Sequence, residues 1–204
     1  MRVKGSIVAG WIKAIRADKA TDYSRWLTDE DREVVAGTVF SSSWYPFETY
    51  RRCCQAVFHT YAKGDPQVLR DWGAENAEAV IKQTYATHII AGQPLESLKK
   101  HLNAIGLFFD FGSIRVEALS DRKVRVTVEG FPPDFEEIEY LPHGRYGKIL
   151  EMAGATGLES RVVSRANEGD GVTRIEYCWQ SSRHAADTIR RTETLSWLRR
   201  GFTG

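Results

Sequence analysis

The chain has little cysteine, no long apolar run and almost no net charge, and each shortage removes a class of protein. Cysteine occurs only as Cys53, Cys54 and Cys178. Adjacent cysteines do not readily bridge to each other, and an odd total does not make a disulfide framework. There is no CxxC and no Cys/His cluster at zinc spacing, so no metal site is expected. No stretch approaches the roughly 18–20 apolar residues that a membrane span requires. The amino-terminal apolar run is broken by Lys13 and Arg16 and lacks the long core of a secretory leader. A reducing, cytoplasmic setting follows as the expectation. With 28 basic and 27 acidic residues the formal charge is +1, which argues against a protein that neutralises many nucleic-acid phosphates. Catalytic signatures are missing too: there is no GxSxG elbow, no P-loop, no GxGxxG and no HExxH. The reading is therefore a non-enzymatic one.

The amino-terminal half carries helical periodicity. Ile7, Trp11, Ile12 and Ile15 recur as one face of a first helix. A second helical region spans 21–35, with Thr28 or Asp29 as its cap. Ser42 or Ser43 is placed to cap a third helix with Pro46 in its first turn. Its stripe is Phe47, Tyr50, Cys54, Val57, Phe58 and Tyr61, and Gly64 closes it. Asp65-Pro66 opens a fourth, bearing Leu69, Trp72, Asn76 and Val80, where Gly73 signals a close backbone approach. Pro94 opens a fifth, with Leu98, Leu102 and Ile105 inward.

Past Gly112 the period changes from 3.6 to 2. Val124, Val126 and Val128 alternate with Lys123, Arg125, Thr127 and Glu129, and Ser120-Asp121 separates two strands of a hairpin. A loop and a helix containing Ile149, Leu150 and Met152 come next. A second hairpin turns at Glu168-Gly169-Asp170-Gly171. One apolar and one charged face imply helices on one side only. The expected fold class is α+β: an amino-terminal helical layer on one face of an antiparallel sheet made of two carboxy-terminal hairpins. Residues 1–180 form the domain and residues 181–204 a basic helical tail, rich in arginine and suited to an acidic surface or a protein partner.

The order of elements and several short words resemble an uncharacterised bacterial family of about 200-residue domains. The words are Lys4-Gly5-Ser6, the Ser42-Ser43-Trp44-Tyr45-Pro46-Phe47 block, Gly64-Asp65-Pro66, Gly130-Phe131-Pro132 and Tyr177-Cys178-Trp179. That family is similar in turn to the 4-vinyl-reductase-like domains, the TRAPP vesicle-tethering subunits and the haem-binding H-NOX sensors. The likeness implies a ligand-binding or dimerising module. In the reductase-like relatives cysteines flank a Gly-Asp turn. Ala166 and Val172 stand near those places here, so the likeness carries no metal site across.

Two sets of residues are singled out. Trp44, Tyr45, Phe47, Tyr50, Phe58 and Trp72 are the candidate wall of an apolar pocket, against the alternative of an ordinary core stripe. His101 stands on the shoulder of the fifth helix's stripe. The likeness to haem-binding relatives makes it a candidate iron ligand; the alternative is a histidine at the solvent edge. Those relatives also hold the haem propionates with a Tyr-x-Ser-x-Arg motif, where this chain has Val128-Glu129-Gly130-Phe131-Pro132-Pro133. Asp134, Glu136, Glu137 and Glu139 are read as a solvated acidic loop and Cys54 as a buried, inert thiol. The leading expectation is a small-molecule-sensing or adaptor domain, self-associating or bound to a protein partner. The alternatives are a haem-dependent gas or redox sensor using His101, or a purely structural interaction subunit.

Overall fold

The computed structural model describes residues 1–84 and 86–182. The expected basic tail therefore lies, from residue 183 on, outside the described residues. The chain opens with β1 (Arg2–Lys4) and α1 (Gly5–Ala17), which buries Val8, Trp11, Ile12 and Ile15 as its spacing requires. Helix α2 (Asp29–Ala36) starts from a complete capping box. The Thr28 hydroxyl accepts from the Asp31 amide, and the Asp31 carboxylate accepts from the Thr28 amide.

The next element departs from expectation. Trp44–Pro46 is a strand, β2, paired antiparallel with β1 so that Val3 faces Tyr45. Helix α3 (Phe47–Thr60) begins only after it, without a side-chain cap. Distant chain, and no serine hydroxyl, satisfies backbone amides at the starts of both α1 and α3. The Gly5 amide donates to the Ser43 carbonyl at 2.9 Å and the Phe47 amide to the Met1 carbonyl at 3.2 Å. Helices α4 (Pro66–Thr84) and α5 (Pro94–Ile105) start at their prolines; Asp65 accepts from the Gln67 amide at 2.9 Å.

Strands β3 (Ser113–Ser120) and β4 (Lys123–Glu129) form the first hairpin. Helix α6 (Tyr140–Met152) and the short β5 (Ala155–Thr156) come before the second, made of β6 (Glu159–Ser164) and β7 (Val172–Cys178). A final short strand, β8 (Ser181–Ser182), pairs with β5. The four long strands make one antiparallel sheet in the order β3-β4-β7-β6, joined where Val126 faces Ile175. Val124, Val126, Ile175 and Tyr177 are wholly buried on one face. On the other, Glu176 collects Lys123, Arg125 and Arg161 at 2.6–3.0 Å.

The layering also differs from the sequence reading. On the apolar face lie α5, against β3, and α6, against Tyr177 of β7; α6 comes from between the hairpins and not from the amino-terminal half. The Tyr177 hydroxyl donates to the His143 carbonyl of α6 at 2.9 Å, and His143 Nε2 meets the Ser160 hydroxyl at 2.7 Å. Helix α4 packs on α6, and α1 packs on α3. The reason lies in side-chain size. Gly144 and Gly147 leave α6 thin enough to be sandwiched, whereas α1 and α3 carry bulky aromatics that stack among themselves.

Candidate functional site

A cavity of about 430 Å³ lies where α1, α3, α4, α5, β3 and α6 converge. That size falls within the roughly 300–1,000 Å³ of ordinary small-molecule sites. Trp11 is central to its wall. Its ring is edge-on to Trp72 at 5.1 Å and to Tyr50 at 6.5 Å, and Tyr50 is edge-on to Phe109 at 6.2 Å. Opposite, α6 contributes Arg145 and Tyr146. The Arg145 guanidinium donates to Asn76 Oδ1 of α4 at 2.9 Å, and Asn76 also faces the cavity. A larger depression of about 740 Å³ lies beyond Trp72, with Asp18, Asp71 and Glu75 along it; it opens past the exposed Tyr61 and is a surface groove.

The wall's electrostatics follow from burial and one cation. Burial raises the Tyr50 and Tyr146 hydroxyls well above the usual tyrosine range, while the positive charge of Arg145 pulls both back slightly. The two phenols therefore stay neutral and serve as donors or acceptors.

The six aromatic residues singled out in the sequence separate in space. Tyr50 and Trp72 line the cavity. Phe47 and Phe58 are core residues, with Phe47 edge-on to Phe111 and Phe135 and Phe58 against Tyr140. Tyr45 is half-buried, its hydroxyl accepting from the Phe40 amide at 3.0 Å. Trp44 is at the surface, with the Lys4 ammonium 4.1 Å and the Arg2 guanidinium 5.3 Å from its ring centre. Their adjacency in sequence misleads because β2 is extended: successive side chains leave on opposite faces. Arg145 and Tyr146 escaped sequence reading, since the surrounding His-Gly-Arg-Tyr-Gly run has no clean stripe. Asn76 and Trp11 were visible only as members of helical faces.

His101 is not at the solvent edge; it is 2% exposed. Its ring lies 6.0 Å from that of His88 and 6.4 Å from that of Tyr146. Burial, assisted by the charge of Arg145, depresses its pKa to about 3, so it is a neutral imidazole at physiological pH. The acidic loop is likewise more enclosed than expected. Glu137 and Glu139 are buried, and desolvation raises both pKa values although Arg70, 3.2 Å away, and Arg165, 3.6 Å away, oppose the rise at Glu139. Among the described residues no group of three or more His, Cys, Asp or Glu could hold a metal ion, and no helix is long and apolar enough to cross a membrane.

No protein-family profile matches the sequence, and no curated protein matches it either. Solved structures of H-NOX domains share its shape. The Fe(II) unliganded H-NOX protein from K. algicida, in a mutant form, superimposes with a TM-score of 0.59 at 12% identity, over 87% of this chain and 97% of that one. An H-NOX structure solved to probe haem distortion gives 0.60 at 15% identity, over 88% and 96%. An oxygen-binding H-NOX domain related to soluble guanylate cyclases gives 0.58 at 15%, over 88% and 96%. The architecture is thus the H-NOX fold.

Haem is the group this fold implies, and the residues present meet its needs only in part. A buried neutral imidazole on the helix leading to β3 is a suitable donor. However, His101 is absent from the cavity wall and Tyr146 occupies that side. The exit of β4 presents Gly130 and the buried Phe131, which offer no side-chain donor to a propionate. Of haem's needs, this arrangement meets the axial donor alone, in His101.

Proposed function

We propose that residues 1–180 form a non-enzymatic sensing module whose ligand is a small molecule held in the 430 Å³ cavity. One observation carries this reading: the wall combines Trp11 and Trp72 of the amino-terminal helices with Arg145 and Tyr146 of α6, the helix that sits on the sheet. An occupant touches both layers at once. Any difference in its contacts between two packings of α4 on α6 then shifts their populations, and with them an outer surface for a partner or a second copy. The H-NOX likeness supports a ligand-sensing role at this coarse level.

Native mass spectrometry of the protein as purified tests the proposal, because it reports bound small molecules and stoichiometry together. Filling the cavity by Gly10→Trp, at a position lining it, should abolish any adduct while leaving the fold intact. A stable protein partner with no small molecule under any condition would instead favour a structural interaction subunit.

A second reading, favoured by the shared fold, is a haem-dependent gas or redox sensor with His101 as iron ligand. It requires Tyr146 to leave its buried place. Titration with hemin decides it: a Soret band lost in His101→Ala supports it, and a band indifferent to that change removes it.

A further inference from the structure

We propose that the groove of about 740 Å³ between α1, α3 and α4 docks this chain's own arginine-rich segment, residues 183–204. The assignment does not depend on the cavity being a ligand site.

The groove has one sign of charge. Asp18, Asp71 and Glu75 line it, and no lysine or arginine stands among the described residues of its wall. Their hydrogen-bond partners are neutral. Asp18 accepts from the Thr21 and Tyr23 hydroxyls at 2.6 and 2.9 Å, and Asp71 accepts from the Gln67 side-chain amide at 2.7 Å. Glu75 has no ion pair among the described residues. Asp71 and Glu75 are exposed one turn apart on α4, and like charges at that spacing repel each other. A cation set between them removes that cost. The floor is apolar and aromatic, with Trp72 half-buried and Tyr61 65% exposed.

Residues 183–204 carry the complementary chemistry. Arg183, Arg190, Arg191, Arg199 and Arg200 stand against Asp187 and Glu193, a surplus of three positive charges for three carboxylates. A guanidinium both pairs with a carboxylate and stacks on an aromatic ring, and Asp71 and Glu75 beside Tyr61 and Trp72 offer both. Leu195, Trp197 and Leu198 supply apolar contact. Reach does not limit the docking. The 22 residues beyond Ser182 span up to ~70 Å when extended, several times the ~17 Å radius of gyration of a domain this long. Tethering holds the segment at a local concentration that no free basic peptide matches, which selects this occupant. Trp72 lines the cavity as well as the groove, so the docked segment touches the wall of the candidate ligand site from outside.

Chymotryptic cleavage after Trp197 of the full chain, read by intact mass near neutral pH and at low salt, tests the docking. Its rate follows the population of the undocked segment. Asp71→Lys/Glu75→Lys reverses the groove at two exposed positions and leaves Asp18, which also holds Thr21 and Tyr23, in place. Cleavage should become about 3- to 30-fold faster, as for the loss of two exposed ion pairs. Arg190→Glu/Arg191→Glu should do the same, and combining both pairs of changes should restore slow cleavage. Salt at about 1 M should speed cleavage of the wild type. Asp71→Asn/Glu75→Gln serves if the reversed groove does not fold. Equal rates in the wild type and both charge-reversed variants overturn the docking. Protection independent of protein concentration supports the chain's own segment as occupant; protection that grows with concentration assigns the groove to the segment of a second copy and overturns the proposal.

Discussion

Gly73 of α4 lies directly against the backbone carbonyl of Leu141 in α6, closely enough that a Cβ at Gly73 would collide with it. Gly144 answers from α6, where a Cβ would strike the Arg70 carbonyl. The two helices touch backbone to backbone, and this contact sets the separation across which Asn76 and Arg145 meet.

Replacing either glycine by alanine should force the helices apart. We expect Gly73→Ala and Gly144→Ala each to lower stability by about 1–3 kcal/mol, the usual range for overpacking. For a chain of this length that is roughly 2–4 °C of thermal midpoint per kcal/mol. Calorimetry checks it; an unchanged midpoint in both variants would mean that α4 and α6 do not approach in solution.

Asp31 has no solvent exposure and is gripped by Arg52 through contacts of 2.5 and 3.0 Å. Removing the cation strands a buried carboxylate. Arg52→Met should therefore destabilise by about 2–4 kcal/mol, short of a wholly buried pair because Arg52 retains contact with water. Burial alone would raise the Asp31 pKa, but hydrogen bonds from Arg52, Thr49 and Thr28 outweigh it and the net shift is downward. A depressed carboxyl adds stability above its unfolded pKa of about 3.9, and the gain is lost as pH falls through the folded value. Denaturant titrations of wild type and Arg52→Met should converge at low pH.

Two histidines make the fold sensitive to milder acid. Burial lowers His101 to about 3 and His143 to about 4, with Arg145 and His88 adding to the first and Arg70 and Arg165 to the second. A base held below its unfolded pKa of about 6.5 contributes no penalty above that pH. As pH falls below it, the unfolded chain gains protons that the folded chain refuses, and stability declines until the folded values are reached. Glu137 and Glu139, both raised chiefly by burial, oppose this by taking up protons while folded. The melting temperature should drop between about pH 6.5 and 4. His101→Phe should flatten the curve; equal slopes in the two proteins would refute the assignment.

The thiols should divide by accessibility. Cys53 and Cys54 are buried, and burial pushes Cys53 up to about 12 and Cys54 well above its ordinary value. Cys178 is only half-buried. A thiol reagent should modify one cysteine in the native protein and three after denaturation, with Cys178→Ser abolishing the native reaction. Rapid native labelling of all three would contradict the packing of α3.

Much of the local architecture was legible in the residue order. The period of 3.6 in α1 and α5, the Thr28 cap, the prolines at the starts of α4 and α5 and the alternation in β4 and β7 each follow from short-range chemistry. Gly73 even signalled its close contact, though not that the partner was α6. What only the tertiary structure decided depends on residues far apart in the chain. Trp44–Pro46 became a strand because Arg2–Lys4 lay beside it, and His101 became buried because Tyr146 and His88 closed over it. The cavity belongs to this second kind. Asn76 and Arg145 are 69 positions apart, and nothing in either neighbourhood marks them as a pair. Backbone periodicity is written within a few residues, whereas a binding wall exists only once distant faces meet.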